Sequence, residues 1–248
     1  MDMDSPDFLL KKIESFTRRK DISEPLKYLC DKLPAQADFY IAGGALRNVI
    51  IEIVHGYRPE ILDIDVMIGN LRKEFSISNV LAQERYRFTD FGGVRWFPKD
   101  SAFSLDLSLL ENFLPIKKFH LAPTLENLLK TIDFNVNAVI YDFKDEALHE
   151  RFILKTIRKK RVGFNSGWFY DKLLLAYRLL VIRHKINFYF SEQAFKFIRD
   201  SIAFDSVNAL MNIMIAKLGK TEAERIIDEY DRICVYKSYE EYITAEHL

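Results

Sequence analysis

The feature that most constrains this chain is an apolar segment interrupted by two carboxylates. Ile61-Leu62-Asp63-Ile64-Asp65-Val66-Met67-Ile68 alternates with period two, so it reads as a β-strand. Asp63 and Asp65 then share one face, and Ile64, Val66 and Ile68 share the other. Carboxylates on such a strand are costly unless a cation or a polar cleft receives them. A second unit precedes it: Phe39-Tyr40-Ile41-Ala42 reads as a short strand, stopped by Gly43-Gly44. A helix from about 45 to 56 follows, with Leu46, Val49, Ile50 and Ile53 on its apolar face and Gly56 as its C-cap. A strand that turns into a helix through two glycines brings bare backbone and the positive end of a helix to one place, which suits the phosphates of a nucleoside triphosphate. Arg47 lies one turn into that helix, within reach of a phosphate oxygen. The paired carboxylates suit Mg²⁺ (or Mn²⁺) ions that organise in-line attack on an α-phosphorus. A third acid from a neighbouring strand would complete the set, and Asp106 in Phe103-Ser104-Leu105-Asp106-Leu107 is the candidate.

The rest of the chain divides into a mixed front and a helical back. Leu9, Leu10, Ile13 and Phe16 recur at helical spacing, Leu26, Leu29 and Leu33 resume it, and Pro34 ends it. Residues 74–84 read as weakly helical, 86–91, 94–98 and 102–109 as strands, 125–131 as a short helix, and 136–143 as helix or strand. Helices are expected over 168–185, 191–203, 205–218 and 221–232, with Gly219 between the last two. The boundary falls near 152–165.

Three segments together resemble the class II tRNA CCA-adding enzymes and bacterial poly(A) polymerases, of the polymerase-β-like nucleotidyltransferase superfamily. The first is Gly43-Gly44-Ala45-Leu46-Arg47 with Asp63-Ile64-Asp65. The second is the segment 125–138, ending in Asp133-Phe134-Asn135-Val136-Asn137-Ala138, which is similar to the family's sugar-handling motif. The third is Arg161-Val162-Gly163-Phe164 followed by Asp171, similar to the start of the family's helical neck. The resemblance runs over about 25–205 and implies an α/β fold: a nucleotidyltransferase head with a small mixed sheet (1–152), then an all-helical neck (153–248). It implies transfer of a nucleoside monophosphate to a hydroxyl, with an RNA 3′ end such as that of tRNA as favoured acceptor. Asp133 and Asn137 would face the sugar, or else cap a helix, and Asp171 would face the nucleotide.

The chain also departs from the family. Thr131 and Ile132 stand where the family has two arginines, and Asn48 stands where it has an acid. In the neck motif that reads the base, Tyr170 takes the glutamate position and Leu174 (or Leu175) the arginine position. Leucine cannot hydrogen-bond a base edge, so base preference is altered, relaxed, or carried by stacking. Trp168, Phe169 and Tyr170 read either as a stacking platform or as neck core.

Arg95, after the Gly92-Gly93 hairpin, reads as a triphosphate contact or as an ordinary strand residue. The basic run at 155–161 reads as a phosphate-binding strip or a solvated hinge. Balanced charge, 36 Lys+Arg against 36 Asp+Glu, gives no support for broad nucleic-acid binding. It keeps open a protein or small-molecule acceptor, or a silent binding module. Cys30 and Cys234, and His120, His149 and His184, fit no metal spacing. The acidic start has no long apolar run and no segment suits a membrane span, so a cytoplasmic location is expected.

Overall fold

The computed structural model describes residues 6–72, 74–89, 92–202 and 206–246. The acidic start and parts of the expected elements at 86–91, 191–203 and 205–218 thus lie outside the described residues.

Two helices open the chain, α1 (Pro6–Thr17) and α2 (Lys20–Lys32). They bury Leu9, Ile13, Ile22, Leu26 and Leu29 against a seven-stranded sheet. The strands are β1 (Asp38–Ala42), β2 (Asp63–Gly69), β3 (Tyr86–Phe88), β4 (Val94–Trp96), β5 (Ser104–Leu109), β6 (Val139–Asp142) and β7 (Ala147–Glu150), in the order β3-β4-β5-β2-β1-β6-β7. Only β2 and β5 run parallel; the other neighbours are antiparallel.

The sheet has two unlike faces because its strands alternate. Phe39, Ile41, Ile64, Val66, Ile68, Leu105 and Leu107 enter the main core with α1, α2 and α3 (Gly44–His55). Tyr40, Ala42, Ile140 and Met67 point the other way, into a smaller apolar cluster under α5 (Leu114–Lys118) and α6 (Leu125–Thr131). Asp63 and Asp65 share that second face, beyond the part the short helices cover.

Between the sheet and the helical back, α7 (Ile153–Arg158) and β8 (Arg161–Val162) occupy the basic run. This segment is regular structure rather than a solvated hinge: Ile153, Thr156 and Ile157 are buried, and His55 Nε2 lies 2.8 Å from the Ile157 carbonyl. Gly163 is needed where the chains cross, since a Cβ there would lie 2.4 Å from Ser191 Oγ.

The back of the molecule is helical as expected: α8 (Lys172–Ile186), α9 (Glu192–Ser201), α10 (Val207–Leu218), α11 (Lys220–Val235) and α12 (Tyr239–Glu246). The exception is β9 (Tyr189–Phe190), which pairs in parallel with β8. Helix α8 begins four residues later than its apolar period predicts, because Asp171 caps it and 168–170 stay irregular. Of 74–84 only α4 (Ile77–Val80) is α-helical. The segment 136–143 resolves into the end of a 3₁₀ turn (Asn135–Asn137) and β6. Strands β7 and β9 and helix α12 are too short or too polar for a sequence period to reveal. α12 is held by Tyr242, whose oxygen accepts from Phe190 N at 2.9 Å and whose ring stacks on Phe195. No helix of the described residues is long and apolar enough to cross a membrane.

Candidate active site

Register alone gathers the charged residues. In the parallel β2–β5 pair Asp65 is opposite Asp106, and in the antiparallel β4–β5 pair Asp106 is opposite Arg95. Val94 and Trp96 turn into the core, so Arg95 stands on the same face as the three carboxylates. Its Nε donates to Asp106 Oδ1 at 2.5 Å and its Nη2 to Asp63 Oδ2 at 2.9 Å, with a second Nη2 contact to Asp106 Oδ2. Burial pushes the Asp65 acid up to about 7, and the negative charges of Asp63 and Asp106 add to that rise against the opposing pull of Arg178 and Arg47. Asp63 is also raised, by burial first and then by Asp106, while Arg95 and Lys185 pull it down.

The glycine turn closes one end of the cleft. Gly43 has φ +71° and ψ −121°, a conformation that residues with a Cβ reach only under strain. It is the N-cap of α3 and has no side chain to cap it, so the first amides of that helix lack a side-chain cap where Gly43 and Gly44 line the cleft. Arg47 sits behind the turn rather than in the cleft. It is 8% exposed, donates from Nε to Asn48 Oδ1 at 2.8 Å and from Nη1 to Asn137 Oδ1 at 2.6 Å, and burial lowers its pKa to about 10. Asn48 in turn donates to the Glu60 carbonyl at 2.8 Å, tying α3 to the chain leading into β2.

The opposite wall comes from α6, the 3₁₀ turn and α8. Asp133 is buried, accepts from Phe134 N at 3.0 Å, and lies 2.7 Å from Arg178 Nε. That last contact is an ion pair without hydrogen-bond alignment on Oδ2. Tyr170 and Leu174 complete the wall beside Leu128 and Ile132. Asp171 is set apart: it is exposed and accepts from Leu174 N at 2.9 Å as the N-cap of α8. Of Trp168, Phe169 and Tyr170 only Tyr170 lines the cleft. Trp168 packs on Phe119 and Phe169 on Phe164. The cleft has a volume of about 200 Å³ and is lined by Gly43, Gly44, Asp65, Asp106, Asp133 and Asn137 among others.

Arg178 escaped the sequence reading. Its one signal is i, i+4 spacing from Leu174, which sets both on one face of α8. The histidines stay out of the site; His184, for example, pairs with Glu222 and Glu229. Among the described residues no three His, Cys, Asp or Glu side chains converge on one metal position, and Arg95 bridges Asp63 and Asp106 instead. The donor chemistry still suits a hard divalent ion. All three donors are carboxylates, and their mutual repulsion, felt in the raised Asp65 and Asp63, is what such an ion relieves.

No protein-family model matches the chain, and no curated protein sequence matches it. Solved structures do match. A tRNA-processing enzyme in an apo form aligns with TM-score 0.57 and 18% identity, over 88% of this chain and 58% of that one. A tRNA nucleotidyltransferase complexed with a primer tRNA and an incoming ATP analogue aligns with TM-score 0.54 and 15% identity, over 84% and 61%. The Thermotoga maritima CCA-adding enzyme complexed with tRNA-CCA aligns with TM-score 0.54 and 15% identity, over 91% and 53%. The chain thus has the α/β fold expected of it, that of CCA-adding enzymes, and spans little more than half the length of these structures.

Proposed function

We propose that this chain is a metal-dependent nucleotidyltransferase that moves a nucleoside monophosphate from a nucleoside triphosphate to a hydroxyl, with an RNA 3′ end, such as that of tRNA, as acceptor. One observation carries the reading: three carboxylates from two paired strands share a sheet face, and two of them, Asp65 and Asp106, line one cleft with the Gly43-Gly44 turn at an uncapped helix N-terminus. The hydroxyl oxygen bonds to the α-phosphorus, the bond from that phosphorus to the bridging oxygen breaks, and pyrophosphate leaves. Asp63 and Asp65, with Asp106 as third ligand, would hold Mg²⁺ or Mn²⁺, which neutralises triphosphate charge and acidifies the attacking hydroxyl. Asp106 is the acceptor of the hydroxyl proton. Gly43, Gly44 and the positive end of α3 receive the triphosphate, and Arg47 reinforces that end from behind. Asp133 and Asn137 face the sugar, and the base rests on Tyr170 and Leu174. Residues 1–152 act as the transferring head and 153–248 as the neck.

The test incubates the protein with Mg²⁺ or Mn²⁺, each α-labelled nucleotide in turn, and separately tRNA, total RNA and protein acceptors. Label entering RNA with wild type, and not with Asp63→Ala/Asp65→Ala, is the expected result. The zero net charge favours a second reading, a protein or small-molecule acceptor; label in that arm alone would replace the RNA acceptor. Labelling in no arm would leave a nucleotide-binding module.

A further inference from the structure

The backbone sets Arg95 on the carboxylate face of the sheet. Strand alternation turns it to the Asp face, and register sets it opposite Asp106, which is itself opposite Asp65. Its guanidinium forks across two strands, reaching Asp106 Oδ1 at 2.5 Å and Asp63 Oδ2 at 2.9 Å. The three side chains are partly shielded, with Arg95 26%, Asp63 41% and Asp106 21% exposed. A guanidinium keeps its charge at any ordinary pH. A divalent ion bridging Asp63 and Asp106 would need the same carboxylate oxygens that Arg95 now engages.

We propose that Arg95 is a resident counter-ion of the carboxylate cluster, and that a divalent ion enters by displacing its guanidinium from Asp63 and Asp106. The inference rests on Asp63, Asp65 and Asp106 being divalent-ion ligands. Two consequences separate it from a purely structural arginine. Without metal, the arginine offsets repulsion among three carboxylates, so its loss destabilises the metal-free chain. With metal, the arginine is a competitor, so its loss tightens metal binding. A structural ion pair would give the first effect without the second.

The test measures Mn²⁺ binding to the whole chain without nucleotide, from the electron paramagnetic resonance signal of free Mn²⁺. Wild type, Arg95→Met, Arg95→Lys and Asp63→Asn/Asp65→Asn are compared, with thermal melting in chelator alongside. Arg95→Met should bind Mn²⁺ at least about tenfold tighter than wild type, a difference of about 1.4 kcal/mol. It should also melt lower in chelator and recover with Mn²⁺. Arg95→Lys, which keeps the charge but cannot fork across two carboxylates, should fall between. Binding by Arg95→Met no tighter than wild type, yet lost in Asp63→Asn/Asp65→Asn, would overturn the role of Arg95 and leave the metal site standing. No Mn²⁺ bound by any folded variant or by wild type would overturn the metal site and this inference together. Should Arg95→Met not fold, Arg95→Lys decides by the same criterion: tighter binding than wild type upholds the inference, and equal or weaker binding overturns it.

Discussion

The two walls of the cleft are built on different principles. The sheet wall sets Asp65 and Asp106 in the cleft, with Asp63 and Arg95 beside them on three adjacent strands, and hydrogen-bonded register fixes where each stands. The neck wall gathers Asp133, Tyr170, Leu174 and Arg178 from segments about forty positions apart, and only side-chain packing sets their relation. The sheet wall keeps the charged donors that phosphate chemistry demands. The helical wall presents Tyr170 and Leu174, and the Arg178–Asp133 ion pair ties it to the turn that leads into β6.

That contrast can be broken or sharpened, and the largest effect belongs to the sheet wall. Asp63→Asn should lower single-turnover nucleotidyl transfer by more than about a thousandfold, since lost metal ligation is worth several kcal/mol. Transfer within a few-fold of wild type would remove the carboxylate wall from the chemistry.

The next effect concerns pH. Asp65 is raised from an ordinary 3.8 to about 7 in the fold, so the stability it contributes is complete below about 4 and is lost as pH rises through about 7. Urea unfolding in chelator should show that decline across the window from about pH 4 to about pH 7, with a slope of at most about 1.4 kcal/mol for each step of one in pH. Asp65→Asn should flatten it. The same slope in the variant would mean that the sheet wall is not charge-frustrated.

On the neck side, Arg178→Met strands the buried Asp133 carboxylate. A fully buried pair broken this way costs about 3–5 kcal/mol, and because the Arg178 side chain is 42% exposed we expect about 2 kcal/mol in urea unfolding. A loss below about 0.5 kcal/mol would show that the pair does not hold α8 to the sheet side of the cleft. The smallest effect should come from Leu174→Arg, which returns a base-edge donor to the neck wall. Relative kcat/KM for the four nucleotides should shift by on the order of tenfold with stability little changed. Unchanged preference would place base selection elsewhere.

Much of this is legible in the sequence. The alternation through Asp63 and Asp65 announced a strand with one charged face, and Gly43-Gly44 announced the strand-to-helix turn, because both signals are local: a period of two and a backbone conformation that only glycine takes easily. Asp106 was legible as a third acid, and its register opposite Asp65 bears out the neighbouring-strand expectation. Local reading does not foresee where side chains with distant partners settle. Arg47 looked like a phosphate contact from its place on the helix, yet Asn137, ninety positions on, draws it behind the turn. Asp171 matched a neck motif, yet the nearest unsatisfied amides were those of its own helix.

By itself, then, the sequence determined the strand, the turn, the helical back and the stock of carboxylates, since each follows from the order of neighbours along the chain. Only the tertiary structure decided which cation meets which acid: Arg95 with Asp63 and Asp106, Arg178 with Asp133, and which amide draws Arg47 away, Asn137. Those pairings depend on strand order and helix docking. Both arise from burying one continuous apolar core, and no short window of sequence contains that information.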